Sequence, residues 1–399
     1  MLLLNPSPDH GAPLDPGDAA LFDARAADEV ERYLDTREDH APTPLVALPA
    51  LARRLGLGAL HVKDEGHRLG LGSFKALGGA YAVVRLTLEE AERRLGRVFE
   101  ASALASPELR AVAATMTFAC ATDGNHGRSV AQGARLVGAK AAIFVHSGVS
   151  DARVAAIARF GAEMIRVEGH YDDSVAHASR VAAQRGWTVV SDTSWPGYER
   201  IPGLVMQGYA VMAREALRQL PAPPTHIFIQ AGVGGVAAAM AGCFAHALGD
   251  ARPRTMVVEP ARAACIHASA QAGAPVAIAQ GEPTVMAMLE CYEPSRVAWR
   301  VLARLADAFI TVEEDAAVAA MNQLARPFDS DPAIVAGESG GAGLAGLMLV
   351  AGDAAARAAL GLDSAARILV FNTEGATDPD RYLELVGLTP EAVAKGARA

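Results

Sequence analysis

The sequence predicts an α/β fold of largely parallel, twisted sheets with helices on both faces. Three observations carry that expectation. Short apolar runs rich in Val, Ile and Phe recur along most of the 399 residues. Segments with helical spacing of small and apolar residues separate them. Glycines gather directly after two of the runs, at 124–127 and 232–235. Strands of four to eight residues alternating with helices describe a parallel sheet buried on both sides.

Taken in order, LHVKDE (60–65) reads as a strand and Lys75 to Leu88 as a helix. TFACATDG (117–124) is a strand running into a helix from about Gly127 to Val137. AAIFVH (141–146) precedes a helix with Val154, Ile157, Ala158 and Gly161 on one face. EMIRVE (163–168), a helix over Asp172 to Gln184, and WTVVSD (187–192) continue the alternation. HIFIQ (226–230), TMVVEP (255–260) and RILVFN (367–372) are three further strands. The charge-free stretch from Gln219 to Gly249 has the length of a membrane span. Its three prolines, Gln230 and central glycines favour a strand, a glycine turn and a buried helix instead.

Composition narrows the function. With 51% hydrophobic residues the chain folds, and its size lets it bury a core without disulfides or metals. Thirty-six basic against 45 acidic residues give a net charge of −9, a poor match to nucleic acid or an anionic membrane. The opening MLLLNPSPDHGAP lacks a secretory signal, and Cys120, Cys243, Cys265 and Cys291 show no CxxC spacing. Both point to a reducing cytoplasm, with a Cys265–Cys291 disulfide the only pairing worth naming. Only 24 residues follow Gly375, too few for a C-terminal regulatory domain. The eleven histidines show no paired metal spacing, so no metal site is expected.

Gly337-Glu-Ser339-Gly-Gly341 fits a hydrolase nucleophile elbow, but that fold needs a histidine later in the chain and the last one is His267. Gly232-Val233-Gly234-Gly235-Val236-Ala237 fits a dinucleotide fingerprint, with Glu259 placed where a ribose-binding acid would stand. An NAD-dependent oxidoreductase therefore stays open. Common to both readings of this loop is a phosphate on backbone N–H groups at a helix N-terminus. Lys75, in Ser73-Phe74-Lys75-Ala-Leu-Gly-Gly-Ala-Tyr81, has apolar neighbours that favour a deprotonated, nucleophilic amine. A cofactor that uses such a lysine and carries a phosphate is pyridoxal 5′-phosphate. Thr122-Asp123-Gly124-Asn125-His126-Gly127 is good turn chemistry, and equally a loop to hold a carboxylate at a helix N-terminus.

These three elements, in that order, resemble the fold-type-II pyridoxal phosphate enzymes, the tryptophan synthase β-like family. GLGSFKALGGAYAV, ATDGNHGRSVA, YDDSV, SDTSWPGYERIPGLVMQGY, QAGVGG, TVMAMLECYEPS, GESGGAGLAGL and NTEGATD are similar to the diaminopropionate ammonia-lyase branch of that family, from about Pro42 to Leu385. Serine and threonine dehydratases usually carry Ser or Thr where this chain has Asp123.

The resemblance implies two α/β domains, residues 1–94 with 201–399 and a smaller mobile one of 95–200, with the cofactor in the cleft between them, and a homodimer. It makes Lys75 the cofactor-bearing amine, with Phe74 beside the ring and Asn125 on its 3′-oxygen. Gly232, Val233, Gly234, Gly235 and Val236 would cradle the phosphate, and Thr373, or adjacent Asn372, would face the ring nitrogen. Thr122, Asp123, Gly124 and His126 would hold the amino-acid substrate, with Tyr171 and Asp192 lining the same pocket. For Asp192 a turn cap before Trp195 is an equal alternative, and for Tyr171 ordinary packing is nearly so.

The implied reaction is α,β-elimination of 2,3-diaminopropionate through an external aldimine and aminoacrylate, giving pyruvate and two ammonia. Lys75 would take the α-proton of the L-isomer and Asp123 that of the D-isomer. A dehydratase, another lyase, a racemase or a non-catalytic amino-acid sensor on the same scaffold are the alternatives.

Overall fold

The computed structural model describes residues 1–122, 124–169 and 171–396. The chain divides into two compact units. The larger is Met1–Asp23, Ala41–Phe74 and Ala210–Ala399; the smaller is Ala24–His40 and Lys75–Tyr209. The boundaries expected at 94/95 and 200/201 differ from these. The helices Lys75–Leu95 and Arg200–Gly208 pack against each other inside the smaller unit, because Gly78 and Gly208 let their backbones touch.

The strands in chain order are β1 (Leu2–Leu4), β2 (Leu45–Ala47), β3 (Ala59–Asp64), β4 (Thr117–Ala121), β5 (Lys140–His146), β6 (Glu163–Val167), β7 (Thr188–Val189), β8 (His226–Gln230), β9 (Arg254–Pro260), β10 (Ala308–Val312) and β11 (Arg367–Asn372). The larger unit holds a seven-stranded sheet in the order β1-β10-β9-β8-β11-β3-β2. Its five central strands are parallel, and β1 and β2 close the edges antiparallel. The smaller unit holds a parallel sheet, β6-β5-β4-β7. The fold is the α/β class expected, with mixed and parallel sheets.

All five residues of β8 are buried, as an apolar run covered on both faces requires. The helix Gly235–Leu248 that follows is buried over its first ten residues, which accounts for the charge-free stretch. Among the described residues no single helix is long and apolar enough to cross a membrane. Strands β1, β2 and β10 are additional to the runs read from the sequence. The run at 187–192 shrinks to Thr188–Val189 because Tyr198 takes over the next backbone groups. Its hydroxyl donates to Val189 O at 2.8 Å and accepts from Ser191 N–H at 3.0 Å.

The end of β3 carries an enclosed charge cluster within the larger unit. Lys63 Nζ donates to Glu215 at 2.6 Å and to Thr43 O at 2.7 Å. Arg68 forks onto both Glu65 and Glu215 at 2.8–2.9 Å, and all four charged side chains are buried. Two cations face two carboxylates, with Thr43 and Gln219 taking remaining hydrogen-bonding positions. Removing one member leaves uncompensated charge in the interior. Glu215→Ala should therefore cost about 3–5 kcal/mol, read as a lowered urea midpoint, whereas removal of the exposed Arg93–Glu90 pair should cost under about 1 kcal/mol.

Candidate active site

Lys75 begins its helix straight after a short strip pinned to the end of β11. Phe74 N–H donates to Thr373 O at 3.0 Å, Ser73 bridges Glu374, and Gly375 N–H donates to Gly72 O at 3.0 Å. Asn372 Nδ2 donates to Asp64 at 2.7 Å, tying the ends of β11 and β3 together. The lysine therefore leaves from a fixed point.

Within the smaller unit, Lys75 Nζ donates to the Asp192 carboxylate, an ion pair between residues 117 apart in sequence. Burial alone would push Asp192 up; the Lys75 ammonium, with His126 and the backbone, holds it well below the usual carboxylate range. Local turn chemistry falls to Ser191 instead, whose Oγ accepts from Thr193 N–H at 3.3 Å. Asp192 is thus the ionised partner of Lys75. Tyr198 stacks on Trp195 at 4.1 Å and its hydroxyl clamps Ser191, the residue before Asp192.

His126 Nε2 lies 2.8 Å from Val190 O. A carbonyl only accepts, so Nε2 carries the proton and Nδ1 is a bare acceptor, buried and without a partner among the described residues. Burial holds its pKa below the ordinary value, so the ring is neutral.

Thr122 Oγ1 accepts from Gly124 N–H and Gly127 N–H, both at 3.0 Å. Those two donors of the loop are thus committed to the protein, and Thr122 shapes the loop. A Cβ at Gly127 would come within 2.3 Å of Thr122 Cγ2, which is why glycine stands there. Asn125 is buried at the start of the helix Asn125–Val137. Asp123 and the side chain of Tyr171 lie outside the described residues.

In the larger unit the glycine loop follows β8. The backbone N–H groups of Gly232, Val233, Gly234, Gly235, Val236 and Ala237 make no hydrogen bond among the described residues; the first one inside the helix is from Ala238 to Gly234 O. Six consecutive donors at the positive end of a 14-residue helix suit a phosphate. Gly234 has φ +97°, open to glycine at low cost, and a Cβ at Gly232 would meet Cys291 Sγ at 2.9 Å. Cys265, at the start of the helix Cys265–Ala272, has its Sγ 3.7 Å from Gly232 O, and neither cysteine is in a disulfide.

At the end of β8, Gln230 Nε2 donates to Thr373 Oγ1 and Gly340 O, both at 2.7 Å. Asn372 is spent on Asp64 and Val335 O, which leaves Thr373 as the polar group with a hydrogen to offer. The sequence reading missed Gln230; a single polar residue closing an apolar strand was its only signal. Ser339 of the elbow-like motif is buried, its Oγ accepting from Met288 N–H at 3.1 Å.

Glu259 corrects the oxidoreductase alternative. Its two oxygens accept from Ile266 N–H at 2.8 Å and His267 N–H at 2.7 Å, capping the helix Cys265–Ala272, so no acid is presented to a ribose.

The residues present fit a phosphate-bearing aldehyde cofactor, and the comparisons agree. The family model for pyridoxal-phosphate dependent enzymes matches residues 36–374, and the chain belongs to that family. It is 38% identical over 381 residues to diaminopropionate ammonia-lyase of Escherichia coli strain K12, covering 94% of each chain. The Salmonella typhimurium enzyme of that name is 37% identical over 379 residues, covering 92% of this chain and 93% of that one. A crystal structure of the Escherichia coli enzyme with an aminoacrylate–pyridoxal phosphate azomethine intermediate superposes with a TM-score of 0.86 at 36% identity, covering 97% and 96%. Its complex with D-serine superposes with a TM-score of 0.84 at 35% identity, with the same coverage.

Burial pushes the Glu259 carboxyl up to about 8, from an ordinary value of 4.5. The folded state thus holds a proton that the unfolded chain has released. Its stabilising contribution is complete below about 4.5 and is lost as pH rises through about 8. Urea midpoints measured from pH 5 to 9 should fall with pH, and Glu259→Gln should flatten that fall.

Proposed function

We propose that this chain is a carbon–nitrogen lyase that converts 2,3-diaminopropionate and water into pyruvate and two ammonia. The observation that carries the substrate choice is the Lys75 amine seated on an ionised Asp192. Diaminopropionate brings one more ammonium than serine does, and a carboxylate held ionised in a partly enclosed site favours that extra charge. The names of the relatives, 38% and 37% identical over nearly the whole chain, point the same way.

Pyridoxal phosphate, when bound, supplies an aldehyde for the amine and a ring that accepts the electron pair left at the α-carbon. The chain's own groups do the rest. Lys75 would carry the aldehyde, with Phe74 beside the ring and Asn125 toward the 3′-oxygen. The donors of Gly232, Val233, Gly234, Gly235 and Val236 would hold the phosphate, and Thr373 would donate to the ring nitrogen. The backbone N–H of His126 and the loop shaped by Thr122 and Gly124 would receive the substrate carboxylate, with Tyr171 beside it.

Lys75 would remove the α-proton of the L-isomer and Asp123 that of the D-isomer from the other face. Asp192 offsets the positive charge of the free lysine and of the β-ammonium. The β-amine leaves as ammonia, and water converts the released three-carbon enamine to pyruvate and the second ammonia. The working form is a homodimer in the cytoplasm, a setting that the free thiols of Cys120, Cys243, Cys265 and Cys291 suit.

Ammonia and pyruvate release from D- and L-diaminopropionate and from serine tests the reading. Wild type should yield two ammonia per pyruvate and prefer diaminopropionate. Lys75→Ala should abolish turnover of the L-isomer, and Asp123→Asn should fall hardest on the D-isomer, by roughly 100-fold or more. Equal loss on both isomers would remove the two-face assignment. A wild type faster on serine would make the chain a dehydratase.

A further inference from the structure

Gln230 is fully buried at the last position of β8, and its amide orientation is determined by its surroundings. Nε2 lies 2.7 Å from Gly340 O, 3.1 Å from Phe371 O and 3.2 Å from Ser339 O, as well as 2.7 Å from Thr373 Oγ1. Three of these four neighbours are backbone carbonyls, which only accept. Turning the amide over would set its oxygen against all three, so the nitrogen must face them. An amide has two hydrogens, and the two shortest contacts take them: one on Gly340 O, one on Thr373 Oγ1.

The direction of the Gln230–Thr373 bond then follows. Thr373 accepts from Gln230 and cannot return its own proton to a nitrogen that is already donating. The arrangement has a cost, because Gln230 Oε1 is buried with no partner among the described residues. A core glutamine that leaves its carbonyl unmet in order to donate to a hydroxyl is better explained by that hydroxyl's task than by packing.

We propose that Gln230 is a positioning residue that fixes the polarity of the Thr373 hydroxyl, making it a donor toward the cofactor's ring nitrogen. This rests on the reading of the chain as a pyridoxal phosphate lyase in which Thr373 meets that nitrogen. A nitrogen that receives a hydrogen bond from a neutral hydroxyl keeps its lone pair engaged and is harder to protonate. The ring is then a moderate electron sink, which suits loss of a β-amine over proton return at the α-carbon or amino transfer to the cofactor. Were Gln230 unable to donate, Thr373 could turn its proton to a backbone carbonyl and accept from a protonated ring nitrogen instead.

The test uses the holoenzyme loaded with pyridoxal phosphate labelled with 15N in the ring, whose nitrogen chemical shift reports protonation without any turnover. Wild type should show an unprotonated, hydrogen-bonded nitrogen. Gln230→Met should raise the protonation midpoint by about one pH unit, tenfold in the equilibrium, and enlarge the share of racemised or transaminated product relative to pyruvate. Thr373→Val should reproduce the shift, Thr373→Ser should restore the wild-type signal, and the double variant Gln230→Met/Thr373→Val should shift no further than either alone.

A protonated nitrogen in wild type, or a Gln230→Met holoenzyme with the wild-type signal, would overturn the proposal. Gln230→Glu, which keeps the length of the side chain but presents acceptor oxygens to Thr373, should give the same shift as Gln230→Met and decides the proposal if Gln230→Met fails to fold; a wild-type signal from it would overturn the proposal. A wild-type protein that takes up no cofactor would instead bring down the lyase reading itself, which separates the two failures.

Discussion

The turn after β3 in the larger unit is organised around a charge cluster buried from water. Lys63, Glu65, Arg68 and Glu215 are buried together, and bare burial of any one would be prohibitive. Their geometry makes it tolerable: a forked guanidinium between two carboxylates, an ammonium shared by a carboxylate and a carbonyl. The turn after β3 meets all of these at once. That turn passes to Gly72, Ser73 and Phe74, which align on Thr373, Glu374 and Gly375. Conformational definition, more than net stability, is what such a cluster contributes, and it is spent on where residue 75 begins.

A second theme is the use of hydroxyls and amides to direct donors. Thr122 gathers two backbone N–H groups of its loop, Tyr198 takes one backbone donor and serves one acceptor beside Asp192, and Gln230 supplies a hydrogen to Thr373. None of these is charged, yet each decides which neighbouring group is left to face a ligand. The glycine loop is the opposite case, where six donors meet no acceptor among the described residues.

The parts of this arrangement that sequence revealed are the local ones. β8 and β11 match the runs HIFIQ and RILVFN residue for residue, because a continuous apolar strand ending at a polar or glycine turn has clear limits. β1 and β2 went unseen, since three residues carry no period. Lys75 stood out by its apolar neighbours, and the Gly232 loop by its place after a strand. Asp192 could be read two ways because its partner is 117 residues away. Gln230 was invisible for the same reason: the groups it meets lie 109 to 143 residues further along the chain. Glu259 misled in the opposite sense, since ribose binding and a helix cap ask for the same residue type at the same spot.

The unpaired donors of the Gly232 loop also bear on how the chain survives before it is loaded. Six N–H groups that meet no acceptor among the described residues suit an anion, and an anion that settled there would bind the folded form and not the unfolded one. By mass action, a ligand at about 100 times its dissociation constant adds about 2.7 kcal/mol to the folding free energy. If the phosphate of the cofactor is that anion, its supply would set how long a newly made copy resists unfolding, quite apart from whether it turns over substrate.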